Sequence, residues 1–366
     1  MTTGKLRVGL IGTGMICNAA HIPAWKNLQD EVEIVGVADI FADRAEGTAQ
    51  RNDIPHAYGD PAKMLAELDL DIVSVCTPNV YHKEWTIASL QAGAHVLCEK
   101  PIAPGYQDAA EMYQVAENTG KILMVGQSAR FTAATLAAKE MAEAGELGEI
   151  YYAETASLRR RGVPQWGMFH MKEHNAGGPI YDLSVHSLDA LLWIMGNPKV
   201  TAASGMVYTK LANRDEGLKT SLADSGAPLG VFDVRPYAHH EFDVEDMAAG
   251  FLRLENDLTI SLKASWAANI PEGMGGTFIL GTEGGLRLNP LMLAKNLGSY
   301  MVDVTPKVPS EPNIMFYGHW NETAHFVDVI HGEAELMVKK EEVLNVINAL
   351  EGVYRSAELG REIELE

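Results

Sequence analysis

The side chains in this sequence that could do acid–base chemistry fall in two short segments. In the first, Glu99-Lys100-Pro101 directly follows an apolar run, 96–98, that has the composition of a buried strand. Proline has no N–H to give to a sheet ladder and restricts the residue before it to extended conformations, so the strand must end here. Lys100 is therefore expected at the carboxyl end of a strand, the edge at which open α/β sheets bind ligands. The alternative is a salt bridge between Lys100 and Glu99.

The second segment places Asp182, His186 and Asp189 at positions i, i+4 and i+7 of an expected helix. Pro179 suits the first helical position, and the pattern predicts a helix over about 179–195 with all three side chains on one side. A carboxylate one turn from a histidine can fix its tautomer and stabilise its charged form, which suits a general base near neutral pH. The alternatives are a surface pair or half of a metal site, although nothing nearby supplies obvious further ligands.

A glycine-rich turn follows the first apolar strand, 6–11. Its residues are Gly12, Thr13, Gly14, Met15, Ile16 and Cys17. In such a turn the first glycine allows the tight bend and the second lets the backbone approach a pyrophosphate. Cysteine takes the third glycine place, where a small residue lets the helix pack close to the strand. A helical segment follows through about Lys26, so its N-terminal amides would form an anion site at the turn.

Asp39 ends the second expected strand, 33–38. An acid at this place can accept hydrogen bonds from both ribose hydroxyls of NAD and would repel the 2′-phosphate of NADP. The alternative is a helix-capping aspartate, because a helical run follows from Asp43. We therefore expect NAD as the cofactor, while Arg44 leaves NADP use open.

These residues must be positioned by a parallel sheet. Strands and helices alternate through residues 1–128 with short connections, which predicts a doubly wound Rossmann domain with right-handed crossovers. The further strands are expected at 71–76 and 121–125, and the further helices at 61–68, 82–91 and 106–119. The turn Thr77-Pro78-Asn79 falls on the same carboxyl edge of the sheet as the glycine turn and Lys100.

Residues 129–366 are expected to form a second domain, in which the pattern is β-rich from about 201 to 302. A hairpin is predicted from 246–254 and 258–266. The segment 214–240 is polar and rich in Gly and Pro, and a loop of that length is usually functional or disordered. His239 and His240 within it are either substrate or subunit contacts or plain loop residues. A final helix is predicted over about 341–359.

The composition is that of a soluble globular protein, and 366 residues suggest two domains. The net charge of −20, with no basic run, argues against nucleic acid and anionic membrane surfaces as partners. No apolar run approaches the length of a membrane-spanning helix, and no signal core begins the chain. The three cysteines lack zinc spacing and are expected to be buried and reduced in the cytoplasm. They are Cys17, Cys76 and Cys98.

Taken together, the motifs resemble those of the Gfo/Idh/MocA family of oxidoreductases. They are the glycine turn, Thr77-Pro78-Asn79 followed by His82, Ala92-Gly93-x-His95-Val96, and Glu99-Lys100-Pro101. The family segment Gly-Gly-x-x-x-Asp-x-Gly-x-His matches 177–186, with Ser184 replacing the last glycine. The resemblance covers essentially the whole chain. It implies a Rossmann domain, then an α+β domain with a large, mainly antiparallel sheet whose open face commonly makes dimers or tetramers, and a last helix that can pack back on the first domain.

The resemblance also implies roles for individual residues. Lys100, Asp182 and His186 become the catalytic group and contact the substrate, with no metal, and either His186 or Lys100 accepts the proton. The implied cofactor-binding residues are Gly12, Thr13, Gly14, Met15, Ile16, Asp39, Arg44, Thr77, Pro78, Asn79, His82, Glu99, Lys100 and Gln127.

Further substrate contacts are expected from a segment before the second motif and from one near the C-terminus. Three consecutive arginines, 159–161, are by default a solvated strand end, but Arg161 is a candidate for the cleft. Trp166 is either core or a flat wall for a sugar ring. His319, just before an expected helix at 321–330, could reach the site in the family's arrangement.

The resulting hypothesis is an NAD(P)-dependent dehydrogenase that moves a hydride between a secondary hydroxyl of a sugar, glycoside or cyclitol and nicotinamide. Trp166 and the triple arginine look like members that oxidise C3 of glucosides or anhydrosugars. The first alternative is an enzyme that oxidises C3 transiently and cleaves a glycoside by elimination. The second is a non-catalytic NAD-binding sensor.

Overall fold

The computed structural model describes residues 4–214, 229–232 and 235–365, which form two sheets with helices packed on them. The strands of the first sheet are β1 (Leu6–Ile11), β2 (Val32–Ala38), β3 (His56–Tyr58), β4 (Ile72–Val75), β5 (His95–Cys98) and β6 (Leu123–Val125). They are all parallel, in the order β3-β2-β1-β4-β5-β6. The order reverses between β1 and β4, the point at which such sheets bind dinucleotides.

Five helices connect these strands. They are α1 (Ile22–Asn27), α2 (Ala42–Asn52), α3 (Pro61–Glu67), α4 (His82–Gln91) and α5 (Tyr106–Thr119). Helices cover both faces of the sheet, so β4 and the end of β5 are buried throughout, which explains their continuous apolar sequence. One local difference is that the glycine turn leads first into a π-helical turn, Cys17–His21, and then into α1.

The second sheet has nine strands. They are β7 (Ile150–Leu158), β8 (Val200–Tyr208), β9 (Met247–Leu254), β10 (Thr259–Ser265), β11 (Gly276–Gly281), β12 (Gly284–Arg287), β13 (Met292–Leu297), β14 (Tyr300–Val304) and β15 (Ile363–Glu364). Their order is β14-β13-β12-β11-β7-β10-β9-β8-β15, and only β7 and β10 pair in parallel. Burial alternates along β10, as expected of a sheet with one covered face. The predicted hairpin is β9 and β10, and the predicted fold class is confirmed.

The remaining helices pack between the two sheets and across them. They are α6 (Ala133–Glu143), α7 (Lys172–Asn175), α8 (Val185–Ile194), α9 (Tyr317–His331) and α10 (Lys340–Leu359). α9 packs with Phe326 in the core of the first sheet, although it lies late in the chain. α10 joins both cores, since Ile347 packs with the first and Leu350 with the second.

Two predicted helices have different boundaries. The segment predicted as a helix over 179–195 is a π-helical turn, Ile180–Ser184, that continues into α8. α9 begins at Tyr317 and not at 321, so His319 lies in its first turn. Asp189 does not line the cavity with Asp182 and His186. It is fully buried and accepts two hydrogen bonds from Arg130, at 2.7 and 2.6 Å.

Candidate active site

One cavity of about 880 Å³ runs along the carboxyl edge of the first sheet and under the second domain. Its walls come from the glycine turn, the ends of β2, β4 and β5, the π-helical turn before α8, and the start of α9. The cofactor candidates that line it are Gly12, Gly14, Met15, Ile16, Asp39, Arg44, Thr77, Pro78, Asn79, His82, Glu99 and Lys100. The substrate candidates Trp166, Asp182, His186 and His319 line it as well.

The glycine turn has the shape that a dinucleotide needs. Gly12 has φ +90°, and a Cβ there would lie 2.7 Å from the backbone carbonyl of Cys76, so only glycine fits. Nothing lies within 4 Å of a Cβ placed on Gly14, which leaves that side of the turn open for a ligand. The residues present therefore fit the pyrophosphate of NAD(P) at this turn.

Asp39 is fixed at the end of β2 beside this turn. One carboxylate oxygen accepts hydrogen bonds from the backbone N–H of Thr13 at 2.8 Å and from its hydroxyl at 2.9 Å. The other accepts from the N–H of Phe41 at 2.9 Å. Arg44 lies over the Phe41 ring, 4.6 Å from its centre. An acid and an arginine thus both border the expected ribose position, which is consistent with the prediction of NAD with NADP left open.

The turn after β4 holds the Lys100 loop in place. The two ring nitrogens of His82 lie 2.8 Å from the carbonyl of Thr77 and 2.7 Å from that of Pro101. The Asn79 side chain donates to the carbonyl of Asn175 in the second domain at 3.0 Å. His82 and Asn79 therefore connect the turn to neighbouring segments, a role that the sequence did not reveal, and they also line the cavity.

Lys100 reaches across the cavity to the second domain. Its Nζ donates to the backbone carbonyl of Asp182 at 3.0 Å and lies 3.4 Å from the Oδ1 of the same residue. The indole N–H of Trp266, at the end of β10, donates to the other oxygen, Oδ2, at 2.8 Å. Burial alone would raise the pKa of Asp182, but Lys100 and Arg159 outweigh it and lower that pKa. Lys100 is therefore bound to Asp182, and the predicted alternative of a salt bridge to Glu99 is wrong.

The π-helical turn that carries Asp182 is anchored at its start. Glu245 accepts the backbone N–H of Gly178 at 2.9 Å and of Ile180 at 3.2 Å. A Cβ on Gly178 would lie 2.2 Å from the carbonyl oxygen of Glu245, so this close approach requires glycine. Gly178 therefore allows the start of the turn to lie directly against the backbone of Glu245.

His186 lies in the cavity wall near Lys100, but no hydrogen bond joins it to Asp182, whose carboxylate is taken by Lys100 and Trp266. Burial and the charge of Lys100 lower the pKa of His186 from 6.5 to about 3, against the opposing effect of Asp182. The predicted orientation of His186 by Asp182 is therefore not present here. His186 is neutral at physiological pH, which leaves a ring nitrogen free to accept a proton.

Glu99, the residue before Lys100, also lines the cavity and is nearly fully buried. The Nε2 of His21 is 2.8 Å from its Oε1, and the Nε2 of His319 is 3.5 Å from the same atom. Its Oε2 accepts the backbone N–H of Lys100 at 3.1 Å. Burial alone would raise the pKa of Glu99, but the hydrogen bonds from His21 and His319 hold it well below the usual range.

In the described part of the chain, one group of side chains has the spacing of a metal site, namely Glu99 and its two histidine neighbours. Ligand atoms of His21, Glu99 and His319 lie within 4.8 Å of one another. The short His21–Glu99 contact is, however, an ordinary hydrogen bond. Within the structure these residues form a hydrogen-bonded cluster, and we assign them no metal.

Three candidates occupy positions other than those expected. Arg161 donates to the carbonyls of Arg160 and Ala268 and to Asn269, outside the cavity lining, whereas Arg159 lines the cavity. Gln127 is buried and is not among the lining residues. Trp166 also borders a small hollow beside Thr13 and Arg44, so it lies toward the glycine turn.

Much of the predicted 214–240 loop, namely 215–228 and 233–234, lies outside the described residues. His239 and His240 begin a short 3₁₀ turn, His239–Glu241, and neither lines the cavity.

Sequence reasoning missed three residues of the site. They are His21, Tyr81 and Trp266. Arg159 belongs to the predicted arginine run 159–161, from which Arg161 was the candidate. His21 and Trp266 act through contacts far apart in the chain, which no local pattern reveals. Tyr81, whose hydroxyl lies 3.1 Å from the Nδ1 of His174, follows directly on the Thr77-Pro78-Asn79 turn, and that position was an available signal.

The family comparisons cover nearly the whole chain. Residues 6–127 match a family described as an oxidoreductase family with an NAD-binding Rossmann fold, and residues 139–365 match its C-terminal alpha/beta domain. Among the described residues, no helix is both long and apolar enough to cross a membrane.

Individual relatives are similar over their full length. The chain is 30% identical to a D-glucoside 3-dehydrogenase of Escherichia coli K12, covering 100% of this chain and 99% of the relative. It is 27% identical to the scyllo-inositol 2-dehydrogenase (NADP(+)) IolW of Bacillus subtilis, covering 99% and 96%. A solved levoglucosan dehydrogenase in complex with NADH and levoglucosan has a TM-score of 0.82 at 21% identity, covering 99% and 100%. That last likeness concerns the fold.

Proposed function

The chain belongs to the Gfo/Idh/MocA family of oxidoreductases, and from that premise we propose that it oxidises a secondary hydroxyl of a D-glucoside at C3. The observation that carries the proposal is the shared cavity. It brings the dinucleotide turn at Gly12 and the polar group of Lys100, Asp182 and His186 to one sheet edge. The D-glucoside 3-dehydrogenase, similar over its full length, supports the choice of substrate class.

The general class is confirmed. The chain is an NAD(P)-dependent dehydrogenase, as the resemblance predicted, and the predicted cofactor is confirmed at the level of NAD(P). The finer assignments stay predictions: NAD over NADP from Asp39, the boundary at residue 128, a cytoplasmic location and the roles of individual site residues.

In the proposed mechanism, Lys100 holds the reacting hydroxyl. Its ammonium donates a hydrogen bond to the substrate oxygen and stabilises the charge that develops there as the proton leaves. Asp182, fixed by the Trp266 indole, aims Lys100 into the cavity. Bound NAD supplies the acceptor for the hydride. Lys100 is thus a hydrogen-bond donor, and the base must be a different group.

His186 is the proposed proton acceptor. It is neutral and lies on the same side of the cavity as Lys100. The charge of Lys100 opposes protonation of His186, so proton transfer is favoured only as the positive charge in the site falls. A cofactor held at the glycine turn would supply a hydride acceptor whose positive charge is lost on reduction, and that loss would favour proton acceptance by His186.

The substrate is proposed to lie between Lys100 and the part of the wall that contains Arg159. Arginine and histidine donors suit the many hydroxyl groups of a sugar. Nothing in this arrangement favours elimination of the aglycone over simple oxidation, so we place oxidation first.

The test is a substrate panel. The purified protein is incubated with NAD or NADP and with methyl and nitrophenyl D-glucosides, free glucose, xylose, levoglucosan and inositols, while reduced cofactor and released nitrophenol are both measured. We expect reduced cofactor with the glucosides and a 3-keto product by mass spectrometry. Nitrophenol without net reduced cofactor would assign the glycoside-cleaving reaction. Tight cofactor binding with no turnover across the panel would identify the protein as a non-catalytic NAD-binding sensor.

The open face of the nine-stranded sheet supports an oligomer. Met206 of β8 and Phe251 of β9 both project exposed from it, and Met301 of the edge strand β14 is more exposed still. Exposed apolar side chains of this kind commonly mark protein contacts. We propose a homodimer or homotetramer through this face, and light scattering on the purified protein would give the mass directly.

A further inference from the structure

A chain of polar contacts leads from Trp25 through Ser74 and His21 to Glu99. The indole N–H of Trp25 can only donate, and it donates to the hydroxyl of Ser74 at 2.9 Å. The Ser74 proton is then free to point to the Nδ1 of His21, 3.3 Å away. Because a carboxylate oxygen can only accept, the Nε2 of His21 carries a proton and donates it to Glu99 at 2.8 Å.

His319 adds a second N–H group. Its Nε2 faces the same carboxylate oxygen at 3.5 Å. Its Nδ1 is buried and has no partner among the described residues. The Nε2 is therefore the ring nitrogen that is directed at Glu99.

Glu99 is therefore a buried carboxylate whose contacts are N–H donors. Three N–H groups contact it, from His21, His319 and the backbone of Lys100. Within the described part of the chain no lysine or arginine side chain contacts it, because the Lys100 ammonium is bound to Asp182. A buried carboxylate that no lysine or arginine side chain contacts is unfavourable. Glu99 faces the cavity, where a bound ligand can supply positive charge.

The cofactor is the natural source of that charge. The glycine turn lies at the end of β1 and Asp39 at the end of β2, so the adenosine half belongs on that side. The other half must then extend over β4 and β5, toward Glu99. The oxidised nicotinamide ring is a cation and the reduced ring is neutral.

We infer that Glu99, held by His21 and His319, is the internal counter-ion of the oxidised nicotinamide ring and selectively strengthens binding of the oxidised cofactor. This inference rests on the proposed placement of the cofactor in the cavity. The carboxylate attracts the oxidised ring by a charge–charge interaction that is absent for the reduced ring. Glu99 thus sets the ratio of the two affinities, while Trp25, Ser74 and His21 are positioning residues for it.

The experiment measures the dissociation constants of both cofactor forms without any sugar, by calorimetry, for the wild type and for Glu99→Gln. The substitution keeps the size of the side chain and removes the charge. We expect the Kd of NAD⁺ to rise at least about tenfold while the Kd of NADH changes less than about threefold. An equal change in both constants, or a larger change for NADH, would overturn the inference.

Two controls accompany this variant. Glu322→Gln alters another buried glutamate, which lies in α9 one turn after His319 and does not line the cavity, and its affinity ratio should match the wild type. Asp39→Asn should weaken both forms by similar factors, because the expected ribose contact is common to both. A shift of the ratio in Glu322→Gln as large as that in Glu99→Gln would contradict the assignment to Glu99.

A second variant covers the case in which Glu99→Gln does not fold. His319→Lys places a fixed cation beside Glu99 and should reduce the preference for NAD⁺ in the same direction. An unchanged ratio in folded His319→Lys would overturn the inference. So would a stoichiometric divalent metal in the EDTA-treated wild type that is lost in Glu99→Gln, since the metal would then be the counter-ion. Failure of the sugar panel leaves the affinity ratio unaffected, so the two proposals fail separately.

Discussion

The cavity wall carries opposite charges at two residues that are adjacent in the chain, Lys100 and Glu99. On one side the Lys100 ammonium is bound to Asp182 and keeps the nearby His186 neutral. On the other side the Glu99 carboxylate is held by His21 and His319, and no lysine or arginine side chain contacts it within the described residues. The side chains of Glu99 and Lys100, neighbours in the chain, meet different partners. The difference separates a side suited to the substrate oxygen from a side suited to the cofactor.

The largest effect is expected from removing the cation. Lys100→Met should lower kcat by roughly a thousandfold, because the donor to the developing negative charge is lost. Cofactor affinity should change only a few-fold. Steady-state kinetics and cofactor calorimetry check this, with Lys83→Met as the control, since Lys83 pairs with Asp108 away from the cavity. Near-normal turnover of Lys100→Met would remove Lys100 from the catalytic group.

The next largest effect is expected on the free energy of unfolding, from Glu322 in α9. Glu322 is fully buried, and neither of its carboxylate oxygens has a hydrogen-bond partner among the described residues. Burial, and then the charges of Glu99 and Asp189, raise its pKa well above the usual range.

A raised pKa in the folded state means that Glu322 contributes stability below its unfolded pKa and loses it as the pH rises. Glu322→Gln should therefore stabilise the protein more at pH 8 than at pH 5, by on the order of 2 kcal/mol in the difference. Urea unfolding at the two pH values measures it. An equal effect at both would show that Glu322 is ionised in the folded protein.

A smaller effect should separate the neighbouring arginines. Arg159 lines the cavity and lowers the pKa of Asp182, whereas Arg161 bonds to backbone outside it. Arg159→Ala is expected to raise the KM for the sugar about tenfold, and Arg161→Ala to leave it within about twofold. Equal effects of the two substitutions would contradict the placement of the substrate beside Arg159.

The smallest change is a titration. Because the pKa of His186 lies near 3, its ring should stay neutral from pH 8 to pH 4.5 in an NMR titration. In Lys100→Met the neighbouring positive charge is gone and Asp182 remains, so the pKa of His186 should rise. A pKa near 6.5 for His186 in the wild type would show that Lys100 does not act on it.

Local sequence patterns were sufficient to predict most strands and helices of the first domain. The strand 6–11 and the helix 106–119 have the predicted bounds, since apolar runs and their flanking turn residues are local features. The resemblance also named Lys100, Asp182 and His186, which the fold brings to one cavity. The helix start at Tyr317 was missed because Phe316, before it, adopts the left-handed region, which its residue type does not suggest.

The sequence by itself determined that a glycine turn, Asp39 and Lys100 would meet at one sheet edge, because parallel strands place their carboxyl ends together. Only the tertiary structure decided the partners. Asp182 meets Lys100 and Trp266 and not His186, and Glu99 meets two histidines, one from each end of the chain. The physical reason is that residue spacing specifies local neighbours, whereas charge in a buried site is balanced by whatever packing brings within hydrogen-bond distance.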